Sequence, residues 1–202
     1  IRVEPVTARA AEEEGNRIRV ILREGLTPEL SHAVRSFYTT SACGVCGKTS
    51  LDSLWARTPP PIRGQAPRVP AKTLAAMPET LRREQAVFGK TGGLHAAALF
   101  GGNGRLLVLR EDVGRHNAVD KVLGQRLLAD ALPLGDHLLL VSGRASFEIL
   151  QKAVLAGIPF VAAVGAPSSL AVDVAREFGV TLVGFLRGES FNVYAGAERV
   201  VD

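Results

Sequence analysis

Apolar and polar residues alternate one for one at the start of the chain, in IRVEPV and again in RIRVILRE, with the turn-rich EEEGN between them. A period of two puts successive side chains on opposite faces of a strand, so residues 1 to 24 are expected to form a half-exposed β-hairpin. The pattern fades through GLTPELSHAVRSFYTTSACGVCGKTSLDSLWART into PPPIRGQAP. Its prolines suit neither a helix interior nor a central ladder, and they mark an exposed connector. From PAKTLAAMPETLRREQAVFGKTGG the period lengthens to that of one helix, with Pro78 expected in its first turn and TGG at its end.

Beyond that point LHAAALF, GGNG and RLLVLRED spell strand, tight turn and strand. The pattern then switches back and forth. VGRHNAVDKVLGQRLLAD reads as a helix, HLLLVSG as a strand, ASFEILQKAVLAG as a helix, IPFVAAVG as a strand, PSSLAVDVAREFG as a helix and VTLVGFLRG as a strand. Strands that are apolar throughout, separated by amphipathic helices, predict a mostly parallel sheet covered on both faces. SFNVYAG is expected as a last strand at a sheet edge. There is no internal repeat. The division expected is an N-terminal β region with the cysteine loop, residues 1–66, and an α/β domain, residues 67–202.

Composition narrows the class. With 202 residues, 47% hydrophobic and 22% charged, the chain can bury a full core without disulfides or metals. No apolar run approaches the ~20 residues that cross a bilayer, and the first residues are too charged for a signal peptide, so a cytoplasmic protein is expected. The chain opens on Ile1 inside an alternating pattern, as a fragment or a processed form would. Lys and Arg number 24 against 20 Asp and Glu, and most of the cations are arginine, whose planar guanidinium suits phosphate and carboxylate. The charges are scattered and only 5% of residues are aromatic, which argues against a nucleic-acid polymer and for a small phosphorylated ligand.

In an α/β sheet, ligands gather where strands end and helices begin. Three such junctions are visible: SGRAS (Ser142 to Ser146), GAPSS (Gly165 to Ser169) and FLRGES (Phe185 to Ser190). Either serine pair alone is better read as helix capping. Three small-residue junctions, two of them carrying Arg144 or Arg187, favour a ligand site. A fourth segment, REDVGRHNAVDK, concentrates charge at a helix start. Its acids suit the positive helix end, whereas Arg115, His116 and Asn117 bring donors, an acceptor and a titratable ring together. His95 follows two glycines at a strand start, where a histidine is commonly a satisfied core residue.

Cys43 and Cys46, in TTSACGVCGKTS, are the only cysteines. A reducing compartment disfavours a structural disulfide. Zinc would need His95 and His116 to complete four ligands, at spacings unlike those of paired ligands. A thioredoxin-like site would need a strand just ahead of the pair, and a zinc deaminase would need His-x-Glu before the cysteines; neither is present. What remains is a glycine-flanked loop with two thiols and Lys48 nearby, suited to carrying sulfur between partners.

SACGVCGK, FGKTGGLHAAAL, REDVGRHNAVDKVLG, SGRASFEILQKAVLAGIP, GAPSSLAVDVAREFGVTLVGFLRG and FNVYAG, in this order, resemble the formate dehydrogenase accessory sulfurtransferases, the FdhD family. The resemblance covers most of the chain from about Thr39 onward. It implies a cytidine-deaminase-like mixed α/β sheet covered by helices, and a homodimer. It also implies a sulfurtransferase in which a cysteine desulfurase loads a persulfide on Cys43, with Cys46 as its partner. The sulfur then passes to the molybdenum cofactor, as bis-molybdopterin guanine dinucleotide, before insertion into formate dehydrogenase. By the family's pattern Phe185, Leu186, Arg187, Gly188, Glu189 and Ser190 match the cofactor-binding segment, and His95, Arg115, His116 and Arg144 are expected to line the site. No structural metal is expected. The competing expectation is a chaperone that binds the cofactor without carrying sulfur. Two departures stand out: the family's additional N-terminal segment is missing, and Glu189 puts an acid beside Arg187, which would weaken a phosphate contact there.

Overall fold

The computed structural model describes residues 2–5, 18–28, 54, 59–62, 64 and 67–202. The chain divides into two compact units, residues 1–40 and 41–202. In the first, β1 (Arg2–Pro5) pairs antiparallel with β2 (Ile18–Ile21), Val3 opposite Val20 and Glu4 opposite Arg19. Opposite charges across the ladder and the Arg2–Glu4 ion pair at 2.9 Å hold a hairpin whose apolar residues stay largely exposed.

The second unit is built on a six-stranded sheet. After the short β3 (Val69–Pro70) and α1 (Ala71–Glu84) comes the single turn α2 (Phe88–Thr91), then β4 (His95–Gly101) and β5 (Leu106–Asp112). The rest alternates as α3 (Arg115–Leu128), β6 (His137–Val141), α4 (Phe147–Leu155), β7 (Phe160–Ala163), α5 (Ser169–Glu177), β8 (Thr181–Arg187) and β9 (Ser190–Ala195). A 3₁₀ turn and β10 (Val200–Val201), parallel to β3, follow.

The strand order is β5-β4-β6-β7-β8-β9. Only β6, β7 and β8 run parallel; β4 is antiparallel to both β5 and β6, and β9 is antiparallel to β8. The sheet is therefore mixed rather than mostly parallel, because β4 enters as the first arm of a hairpin and runs against β6. β9 does lie at an edge.

The period of two divides the core. Ala97, Leu99, Leu139, Val141, Val161, Ala163 and Leu182 face Val119, Val122, Leu150, Val154, Val174 and Ala175 of α3, α4 and α5. Ala96, Ala98, Phe100, Leu138, Leu140, Phe160 and Val183 turn the other way, toward Leu74, Met77 and Leu81 of α1. Both faces are covered, three helices on one and α1 on the other. The alanines of β4 let helices approach a central strand from either side.

Two helical expectations change. Pro78 lies in the interior of α1, not its first turn. The expected single helix also breaks after Glu84, where the Gln85 N–H bonds back to the Arg82 carbonyl at 3.3 Å, and resumes as α2. Elsewhere Arg199, 2% exposed, sends its guanidinium to the carbonyls of Gly179 (3.0 Å) and Gly64 (2.8 Å) and to the Thr181 hydroxyl (3.1 Å). A buried cation spanning those segments is a structural tie.

Candidate functional site at the strand ends

Because β4 runs against β6, His95 at the start of β4 shares an edge with the carboxyl ends of β6, β7 and β8. Ser142 fixes that junction: its Oγ accepts the Ala96 N–H at 2.9 Å and its own N–H donates to the Ala96 carbonyl at 2.9 Å. The helices α3, α4 and α5 begin at this same edge, so their unsatisfied N–H groups and positive dipole ends collect there.

An open cavity of about 240 Å³ lies among them, lined by Arg115, Arg144, Ala145, Ser146, Ala166, Pro167 and Ser168. Two arginines, two serines and the helix starts around one small space offer the cations and donors that an anion would need. Neighbouring loops are knitted by the Ala145 N–H to the Ala166 carbonyl (3.2 Å), Ser168 N–H to Ala145 carbonyl (2.9 Å) and Phe185 N–H to Gly165 carbonyl (3.1 Å).

Glycines after β6 and β7 and within β8 admit that packing. A Cβ on Gly143 would stand 3.3 Å from His95 Nδ1 and 3.7 Å from Arg115 Cδ. One on Gly165 would meet the Gly143 carbonyl oxygen at 2.9 Å and the Arg144 stem at 3.1 Å, and one on Gly184 would meet Pro167 at 2.8 Å and the Tyr194 ring at 3.0 Å. Each missing side chain is replaced by a site residue or by the loop that carries one.

The charged segment after β5 separates into two sets. Glu111 accepts the N–H groups of Val87 (3.0 Å) and Phe88 (2.7 Å), anchoring α2. Asp112 takes Lys121 at 2.6 Å, the Gly114 N–H at 2.8 Å and the Asn117 amide at 3.0 Å. The Lys121 ammonium, then the Gly114 and Asn117 donors, hold the Asp112 carboxyl down at about 2. These acids are structural. Arg115 and His116 instead turn toward the cavity side. His116 Nε2 is 3.0 Å from the Ser146 hydroxyl and 3.8 Å from Glu148, and burial, then the Arg115 charge, push its pKa below the ordinary histidine value.

The structure thus gathers Arg115 and Arg144 at the cavity, His116 behind Ser146, and His95 beside Gly143. Phe185 is tied to the rim by its backbone, with φ of 54°, a left-handed conformation rare for a residue with a Cβ, and the residue is 41% exposed. Leu186 points away, fully buried in the α1-side core. Arg187 and Ser190 pair across the exposed turn made by Gly188 and Glu189, and none of these four lines the cavity. Cys43 and Cys46 lie outside the described residues. Ser146, Ser168 and Pro167 were not singled out individually from the sequence, although the junctions SGRAS and GAPSS contain them. Among the described residues no three His, Cys, Asp or Glu side chains gather to hold a metal, and no helix is long and apolar enough to cross a membrane.

The fold is a mixed α/β sheet with an arginine-bearing cavity at the ends of its parallel strands. Comparison with known proteins makes that more specific: the family model described as the FdhD/NarQ family matches residues 2–201, and the chain belongs to that family. It is similar to proteins named sulfur carrier protein FdhD. The one from Mycobacterium bovis is 57% identical over 185 residues, covering 92% of this chain and 67% of that protein. The one from Streptomyces coelicolor is 62% identical over 167 residues, covering 82% and 59%. The crystal structure of a formate dehydrogenase accessory protein from Desulfotalea psychrophila superposes with a TM-score of 0.64 at 33% identity, covering 72% of this chain and 61% of that one. The chain therefore spans 59% of the Streptomyces relative and 67% of the Mycobacterium one.

Proposed function

We propose that this chain carries sulfur from a cysteine desulfurase to the molybdenum cofactor before that cofactor enters formate dehydrogenase. The observation that carries the reading is the convergence of Arg115, Arg144, Ser146 and Ser168 on one cavity at the ends of β6 and β7, in a family whose members are named sulfur carriers. The cargo, bis-molybdopterin guanine dinucleotide, is larger than a cavity of about 240 Å³. A diphosphate with part of its nucleoside suits the two guanidiniums and the helix starts, and the remainder would extend past the exposed Phe185. We take the cytidine-deaminase-like designation, the homodimer and the cytoplasmic setting as part of the same reading.

In the sulfur step, the Cys43 thiolate attacks the outer sulfur of the desulfurase persulfide. One S–S bond forms as another breaks, and the desulfurase cysteine leaves as thiolate, without net oxidation. Release by Cys46 attacking the inner sulfur of Cys43 would free hydrosulfide and leave a Cys43–Cys46 disulfide, which a cellular dithiol then reduces. Lys48, two positions after Cys46 in sequence, would favour the thiolate form through its charge.

Incubation with a cysteine desulfurase and cysteine, followed by mass spectrometry, tests this. One added sulfur is expected on the Cys43-to-Cys46 peptide, lost when both cysteines are replaced by alanine. No adduct, or one that survives the double replacement, would sink the proposal.

A further inference from the structure

Ser146 stands where a capping serine normally stands, at the residue before α4, in extended backbone conformation. Its side chain nevertheless makes no capping hydrogen bond. The hydroxyl, on a residue only 7% exposed, lies 3.0 Å from His116 Nε2. At the neighbouring junction Ser168 does cap, accepting the Ala171 N–H at 3.2 Å. His116 itself is not part of the cavity wall, whereas Ser146 is.

We propose that His116 is a positioning residue for the anion cavity: by holding the Ser146 hydroxyl it keeps that oxygen off the first turn of α4, where the Ile149 N–H is already taken by the Ser146 carbonyl at 3.2 Å and the Phe147 and Glu148 N–H groups are left for a ligand anion. The inference rests on the reading of the cavity as a phosphate site and gives His116 a role at one remove, in place of direct contact with the cargo. A hydroxyl oxygen rotated into the capping position would satisfy one of those N–H groups and put a lone pair where the anion's oxygen must sit. Glu148, 3.8 Å from the same ring nitrogen, is the alternative partner that Ser146 outcompetes at this distance.

Two readouts on the full chain test it, one without ligand. Amide hydrogen exchange at Phe147 and Glu148 should slow in His116→Ala, where Ser146 is released to cap α4, and return to the native rate in His116→Gln, whose amide can replace the ring nitrogen, and in His116→Ala with Ser146→Ala. Guanosine diphosphate titrated by calorimetry should bind about tenfold more weakly to His116→Ala, recover in His116→Gln, and show no further loss when His116→Ala is added to Ser146→Ala. Unchanged exchange in His116→Ala overturns the inference. So does a loss of nucleotide affinity that persists in the Ser146→Ala background, since His116 would then touch the ligand directly. If exchange shifts as expected while the wild-type protein binds no nucleotide, the phosphate reading fails and the positioning role stands.

Discussion

The starts of α4 and α5 make a natural pair. Both follow a parallel strand, both are reached through a glycine and a serine, and both border the same cavity. At α5 the serine closes the helix start upon itself, through Ser168 and the Ala171 N–H. At α4 the serine is diverted to a histidine on another helix, and Arg144 lies two residues before it. At one start the third N–H is met by the serine side chain; at the other it is met by the serine carbonyl, and the hydroxyl goes to His116. Sequence resemblance between two junctions does not make them equivalent; what distinguishes them is where each hydroxyl is spent.

The largest expected effect comes from the open side. Arg144→Ala and Arg115→Ala should each weaken guanosine diphosphate binding by about tenfold to hundredfold, the ~1.5–3 kcal/mol of a charge-assisted hydrogen bond. Arg176→Ala, in the last turn of α5, should leave the calorimetric titration unchanged. A comparable loss from Arg176, at the other end of α5 and outside the cavity lining, would mean that the nucleotide binds elsewhere. Next in size, Gly184→Ala drives a methyl into Pro167 and the Tyr194 ring and should cost about 1–3 kcal/mol in urea unfolding, with nucleotide affinity falling as the Pro167 loop moves. An unchanged midpoint would show that this loop is soft.

On the closed side, Ser168→Ala should destabilise by about 1 kcal/mol through the lost cap and, because Ser168 also lines the cavity, should lower nucleotide affinity less than either arginine variant. Chemical denaturation and calorimetry on the same variant separate the two. The gentlest probe is acid. Asp112, held at about 2, lies below its unfolded value, so its contribution to stability is full above pH ~4 and disappears as pH falls toward 2. Asp112→Asn should flatten that limb of the stability curve. His116 and His137 are both held below the ordinary histidine value, chiefly by burial, so the folded state favours their neutral rings. Their contribution is present above pH ~6.5 and fades as pH falls below it, and His116→Gln should flatten that part of the profile.

Much of the fold is written in the period of the apolar residues. The alternation in Arg2–Pro5 and Ile18–Ile21 gives the hairpin, and the apolar runs His137–Val141 and Phe160–Ala163 give central strands. Strand direction is not written there. A strand buried on both faces is apolar whichever way it runs, so β4 resembles β6 in sequence although the two are antiparallel. Pro78 misled because a proline lacks only one helical donor, and α1 absorbs that loss while Leu74, Met77 and Leu81 stay buried. Within the site, Arg115 and Arg144 were legible as cations at helix starts. The diversion of Ser146 was not, since it depends on a histidine thirty positions earlier meeting it in space. Likewise Leu186 sits in a segment whose exposed neighbours suggest a ligand loop, while strand alternation turns it inward.

The reversal of β4 has a consequence for how the protein comes together. The cavity edge draws on chain passages from His95, Arg115, Ser142 and Gly165 through Phe185, and none is next to its spatial neighbour in sequence. Loop-closure entropy disfavours such long-range pairings until most of the sheet exists. The proposed nucleotide affinity should then be among the last properties a refolding chain acquires, which makes the cavity a gauge of a finished molecule: a chain stalled with β8 undocked would keep its helices and lack the finished cavity.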